Sequence, residues 1–282
     1  MKIWQRKIVN TNRGSFEIFI KGSGKPLCVT HLYSIFNHSG DYFADSFTCS
    51  FQVYLINLRE TGSSVKAIEP YQLSMLETVF DLEAIREALG LSSWTFAGHS
   101  TGGMLGAVYG IFCSKSLDQL LLVGAAARDY FTFSSSCIYH QEHPKFQEMQ
   151  QLNIQLKQKH LSPKERKKSK IKRIKLSLHQ PDKYKTYFSK EINKGLSAAR
   201  MDYFNREIQL FDITKKLKLI STSTLIVCGR FDVQCPLEYS EEMHEKIPQS
   251  TLIIFENSNH YPFLEEATRF TEEVVHRLSH AD

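Results

Sequence analysis

The chain has 282 residues, 42% of them apolar and 23% charged, with a formal net charge of +5. That length suits one large α/β domain or two small ones, and the balance is ordinary for a soluble globular protein that can bury a large core. No apolar run reaches the ~18 residues a membrane span needs, and the mild charge excess is too small to argue for nucleic acid.

The opening residues Met1-Lys2-Ile3-Trp4-Gln5-Arg6-Lys7 lack the apolar stretch of a secretory signal. Residues 3–9 and 16–20 flank a turn at Arg13-Gly14 and read as a hairpin. Residues 27–32 and 53–58 are short apolar runs suited to buried parallel strands. Residues 74–89 predict a helix, with Leu76, Val79, Phe80, Leu82, Ile85 and Leu89 near helical spacing. Ser74 and Glu77 form a capping box at its start, and Gly90 ends it. A strand at 94–97, a helix at 104–113 and a strand at 120–123 follow.

The alternation stops after Ala127. Residues 128–212 are rich in aromatics and lysines, without strand-like alternation, and read as a helical insertion. Strands return at 223–228 and 251–255, and an amphipathic helix is expected over 263–278. The chain therefore divides into a core (1–127), an insertion (128–212) and the rest of the core (213–282). Strands alternating with helices imply a mostly parallel sheet covered on both faces, with ligands beyond the carboxyl ends of its strands. The six cysteines (Cys28, Cys49, Cys113, Cys137, Cys228, Cys235) show no metal-ligand spacing and sit mostly in apolar stretches. A reduced, cytoplasmic protein is expected, with neither metal nor cofactor.

Gly98-His99-Ser100-Thr101-Gly102-Gly103 lies between a strand and a helix, the setting that the G-x-S-x-G elbow requires. The two flanking glycines leave room for a tight turn that exposes Ser100 beside a helix N-terminus. A serine hydroxyl needs a base, and the base needs an orienting acid. Asp232 follows the apolar strand at 223–228, and His260 follows the strand at 251–255. Asp129, after the strand at 120–123, is the other candidate acid.

This ordered set resembles the α/β-hydrolase superfamily, and within it the capped branch of proline iminopeptidases, esterases and carbon–carbon bond hydrolases. The resemblance rests on the elbow, on Gly229-Arg230-Phe231-Asp232, on Ser258-Asn259-His260 and on Asn57-Leu58-Arg59-Glu60-Thr61-Gly62-Ser63-Ser64. It implies an eight-stranded, mostly parallel sheet flanked by helices, with a helical cap after the sixth strand, where residues 128–212 stand. The activity expected is hydrolysis of a small ester, amide or short peptide through a Ser100–Asp232–His260 triad. An aminopeptidase is the second reading, and a ligand-binding relative without catalysis is a third.

An oxyanion needs two donors. Thr101 N–H is expected to be one. The other is Tyr33 N–H, with Leu32 as the alternative, from Thr30-His31-Leu32-Tyr33-Ser34. The family usually has His-Gly at this point, so Leu32 departs from its pattern; His31 is expected to brace the loop. Ala199-Arg200-Met201-Asp202-Tyr203-Phe204 resembles a cap segment of proline iminopeptidases, in which Asp202 would meet a substrate amine; Tyr203, with the other aromatics of the insertion, could line an acyl pocket. Residues 156–175 carry ten Lys/Arg against one acid, Glu165. They read as a solvated helical face that could draw anionic substrates toward the site, not as a nucleic-acid patch. Oligomeric state is left open.

Overall fold

A computed structural model describes residues 3–158 and 160–280; Met1, Lys2 and Lys159 of the segments read above lie outside them. Strands β1 (Gln5–Thr11) and β2 (Gly14–Gly22) form the antiparallel opening hairpin. β2 also pairs antiparallel with β5 (Phe51–Ile56). From there on every pairing in the main sheet is parallel: β3 (Lys25–Thr30) with β5 and β6 (Trp94–His99), then β7 (Leu117–Val123), β9 (Thr224–Gly229) and β10 (Ser250–Phe255). The eight strands lie in the order β1-β2-β5-β3-β6-β7-β9-β10.

The continuous apolar runs mark strands buried on both faces, because neighbouring side chains point to opposite sides. Leu120 and Leu122 join one core with Phe96, Met104 and Ile226, while Leu121 and Val123 join another with Leu27, Val227 and Phe255. Helices α2 (Met75–Ala88), α3 (Thr101–Cys113) and α8 (Leu237–Lys246) cover the first face. The short α1 (Tyr42–Asp45) and the C-terminal helical segments cover the second.

Ser74 caps α2 by accepting from the Glu77 N–H at 3.2 Å, but the reciprocal half of the capping box is absent. The Glu77 carboxylate pairs with Arg13 instead. Arg13 also pairs with Asp81 at 2.7 Å and lies over the Phe80 ring, so Phe80 and Leu76 stay near the surface. Asp81 and Thr78 are buried in their place, Asp81 against Arg59 at 2.9 Å.

The segment between β7 and β9 contains α4 (Phe146–Lys157), α5 (Pro163–Lys175), α6 (Tyr184–Tyr187) and α7 (Ala198–Glu207). Its two ends meet: Arg128 bridges Asp212, and Ile213 N–H donates to the Ala127 carbonyl at 2.8 Å. One strand within it gave no periodic signal. β8 (Gly195–Leu196) pairs antiparallel with β4 (Ser34–Ile35), tying the segment to the loop after β3. Two residues are too few to show alternation.

The helix expected over 263–278 is broken into Pro262–Glu265, Ala267–Phe270, a π turn at Thr271–Val275 and His276–His280. The break falls at Glu266, outside the helical region at φ −127°, ψ 51°. Its carboxylate accepts from Asn257 N–H and the Ser258 hydroxyl, bracing the loop that carries His260. All six cysteines are free, and among the described residues no helix is long and apolar enough to cross a membrane.

Candidate active site

β6 runs straight into α3 through Ser100, whose φ of 56° and ψ of −124° are rare for a residue with a side chain. The turn is enforced from both sides. A Cβ on Gly98 would collide with the Gly102 carbonyl, and one on Gly102 with the Thr30 carbonyl. Ser100 is held by its N–H donating to Val123 at 2.9 Å, while its carbonyl accepts from Gly103 and Met104 to start the helix. The hydroxyl keeps accessible surface and makes no hydrogen bond among the described residues.

Asp232 and His260 meet at the carboxyl ends of β9 and β10. His260 Nδ1 donates to Asp232 Oδ2 at 2.9 Å, with Oδ1 at 3.1 Å, and both side chains are buried. Oδ1 also accepts the N–H groups of Gln234 and Cys235 at 2.8 and 2.9 Å. These bonds fix the carboxylate, and the carboxylate fixes the imidazole tautomer with Nε2 free to take a proton. His260 lies beside the elbow: its ring centroid is 4.6 Å from that of His99, and its carbonyl accepts from His99 Nε2 at 2.7 Å.

Asp129 makes a different use of its carboxylate. It caps its own turn, accepting from Phe131 N–H, Thr132 N–H and the Thr132 hydroxyl, and has no bond to His260.

The N–H groups of Thr101 and Tyr33 find no acceptor among the described residues. Leu32 is buried, and its carbonyl accepts from Nε of the buried Arg200. His31 Nε2 lies 3.1 Å from the Thr101 hydroxyl, and its Nδ1 is buried without a partner. Burial, reinforced by Lys194, holds the His31 imidazole down to about 3, so it stays neutral. His99 is likewise held well below the usual histidine range, first by burial and then by His260.

Asp202 is exposed on α7, and no hydrogen bond or ion pair joins it to Ser100, Asp232 or His260 among the described residues. Tyr203, on the same helix, packs under the Arg206 guanidinium. Sequence reasoning passed over three neighbours of the site: His99, hidden inside the elbow motif; Tyr261, which follows His260; and Arg200, in a segment read for its acid.

The family described as alpha/beta hydrolase fold matches residues 29–267. A solved alpha/beta fold family hydrolase from Bacillus anthracis superposes with a TM-score of 0.93 at 39% identity, covering 96% of this chain and 98% of that one. AB hydrolase superfamily protein YisY of Bacillus subtilis is 27% identical over 87% of this chain and 88% of its own length. A proline iminopeptidase of Heyndrickxia coagulans is 40% identical, but over only 60 residues, 21% of this chain.

Proposed function

The chain belongs to the alpha/beta hydrolase family, and on that premise we propose that it is a serine hydrolase cleaving a small carboxylic ester or amide through an acyl-enzyme on Ser100. The observation that carries the reading is the Asp232–His260 pair, at 2.9 Å, set beside the strained Ser100 turn. His260 Nε2 takes the Ser100 proton as Oγ attacks the carbonyl carbon. Asp232 holds the tautomer and stabilises the imidazolium. Thr101 and Tyr33 N–H groups receive the oxyanion. Collapse breaks the bond to the leaving alcohol or amine, which departs with the proton from His260. Water, deprotonated by His260, then releases the acid and restores Ser100.

Residues 128–212 act as a cap over this site, a role supported by the join of their ends at Arg128–Asp212 and by the β4–β8 pair. Labelling with a fluorophosphonate tests the assignment. An adduct on Ser100 that disappears in Ser100→Ala is expected; an unlabelled, inactive protein would instead favour a binding role without catalysis.

An aminopeptidase is the second reading, favoured by the local match to proline iminopeptidases. It needs an acid for the substrate amine, and the exposed Asp202 is a poor candidate. Aminoacyl-anilides tested beside nitrophenyl esters decide between the two.

A further inference from the structure

We propose that Arg173 forms a carboxylate-binding subsite facing the candidate active site, so that the substrate is a monoester or monoamide bearing a second, free carboxylate. The inference rests on the serine hydrolase reading and specifies its substrate class.

α5 turns one stripe of its basic sequence inward, at Arg166, Ser169 and Arg173, which are spaced i, i+3 and i+7. Lys164, Lys167, Lys168, Lys170 and Lys172 point to solvent. The first two inward residues fasten α5 to α4. Arg166 donates to the Leu156 and Gln158 carbonyls at 2.6 and 2.7 Å, and Ser169 donates to the Gln155 side chain at 3.0 Å.

Arg173 reaches further in. Its Nε donates to Asn153 Oδ1 at 2.8 Å and its Nη2 to the Tyr139 hydroxyl at 3.0 Å. Nη1 makes no hydrogen bond among the described residues, and no carboxylate among them lies within 4 Å of the guanidinium. Other inward arginines are compensated: Arg59 by Asp81 and Arg86 by Glu83, while Arg200 spends all three nitrogens on carbonyls and the Thr78 hydroxyl. Arg200 and Arg166 also lack a carboxylate partner but bond both terminal nitrogens, whereas Arg173 has neither a carboxylate partner nor a bond at Nη1.

The Nη2 contact leads toward the candidate active site. The Tyr139 hydroxyl passes the contact on to Gln234 Oε1 at 2.8 Å, and Gln234 N–H donates to the Asp232 carboxylate. Tyr261, next to His260, and Tyr33, which carries a candidate oxyanion N–H, are within electrostatic reach of the guanidinium. Arg173, Tyr33, Tyr139, Tyr261 and Ser100 all keep part of their surface accessible, although the three phenols lie deep enough for burial to raise their pKa.

A half-buried guanidinium without a counter-ion is costly. A ligand carboxylate supplies the planar, charged acceptor that its fork fits. The nearby phenols of Tyr33 and Tyr261 are neutral and do not repel that anion. The reaction itself is unchanged: monoester plus water gives a dicarboxylate, an alcohol and a proton.

The test compares kcat/KM of the full chain for mono-4-nitrophenyl succinate, glutarate and adipate with neutral 4-nitrophenyl esters of equal chain length. At least one acidic ester is expected to exceed its neutral counterpart by ~10-fold or more, the worth of one charge-assisted hydrogen bond. Arg173→Met and Arg173→Gln should collapse that ratio, and Arg173→Lys should keep part of it. Calorimetric binding of monomethyl glutarate to Ser100→Ala, lost when Arg173→Met is added, reads the subsite without turnover.

A wild-type preference for every neutral ester, or a ratio unmoved in folded Arg173→Met, overturns the subsite while Ser100 labelling leaves the hydrolase intact. Absent labelling and absent turnover overturn the hydrolase reading, and calorimetry then decides the subsite by itself. Should circular dichroism show the Met and Gln variants unfolded, the wild-type ratio and Arg173→Lys decide.

Discussion

Arg200 donates from Nε to the carbonyl of Leu32, so a buried side chain of α7 grips the very peptide whose N–H belongs to Tyr33. A trans peptide points its carbonyl and its N–H to opposite sides. Holding the Leu32 oxygen therefore aims the Tyr33 N–H away from Arg200. The anchor is rigid, because the same guanidinium donates to the Arg59 carbonyl at 3.0 Å and the Thr78 hydroxyl at 2.8 Å. Burial lowers the Arg200 pKa to about 10, which leaves it charged at neutral pH. The anchor fixes the backbone at Leu32, a residue with less conformational freedom than the glycine of the family pattern.

Arg200→Gln should consequently lower kcat more than it raises KM. If the Tyr33 donor is lost, the expected fall is ~10²–10³. Arg200→Lys, which keeps the charge but not the fork, should recover only part. Steady-state kinetics on a nitrophenyl ester, with fluorophosphonate labelling as a check on Ser100, measure this. A kcat within twofold of the parent in a folded variant would remove Arg200 from the oxyanion argument.

Much of the candidate site was legible because its parts sit where apolar runs end. Ser100, Asp232 and His260 each follow a strand core, and such runs are readable wherever both faces of a strand are buried. Face assignment was less legible. Arg200 and Asp202 are two residues apart on one helix, hence on nearly opposite sides; the arginine is buried and the acid exposed. Nothing in the local composition says which side turns inward. Arg173 was likewise hidden, one basic residue among ten in 156–175, separated from the others only by the packing of α5 on α4.

The Ser100 backbone stores strain at φ 56°. Such a residue costs on the order of 1–3 kcal/mol, which glycine avoids and alanine does not. Both Ser100→Gly and Ser100→Ala remove the hydroxyl and should cut turnover by ~10⁶ if the subtilisin precedent holds. They should differ in stability, with the glycine variant melting several degrees above the alanine variant, since ~1 kcal/mol shifts Tm by ~2–4 °C in chains near this size. Paired thermal melts measure the difference, and equal or reversed Tm values would show the turn to be unstrained.

Asp232→Asn should preserve the fold but misassign the His260 tautomer, because an amide can donate where the carboxylate only accepts. In the chymotrypsin case that change costs ~10⁴ in kcat. The Gln234 and Cys235 N–H groups can still bond the remaining amide oxygen, so Tm should move little. A fall in kcat with a retained melting curve supports the pair; a fully active variant would move the acid role elsewhere.

Acid should loosen the protein around His31. Its unfolded imidazole titrates near ~6.5, whereas in the folded chain it is held down to about 3, mainly by burial. Between those values the unfolded state binds the extra proton. The stability gained from keeping His31 neutral is thus fully present above ~6.5 and is lost as pH falls toward the folded value, at up to ~1.4 kcal/mol per pH unit. His99 contributes with the same sign, since it too is held well below its usual range. The groups around His31 argue in the same direction on balance: Lys194, His260 and Arg200 oppose its protonation and Asp41 favours it. His31→Asn removes the titrating group while keeping a polar side chain beside Thr101. Its Tm should be lower than the parent's at pH 7.5 yet fall less between pH 6.5 and 5. Parallel slopes for the two proteins over that interval would show that His31 is not the group that couples protons to unfolding.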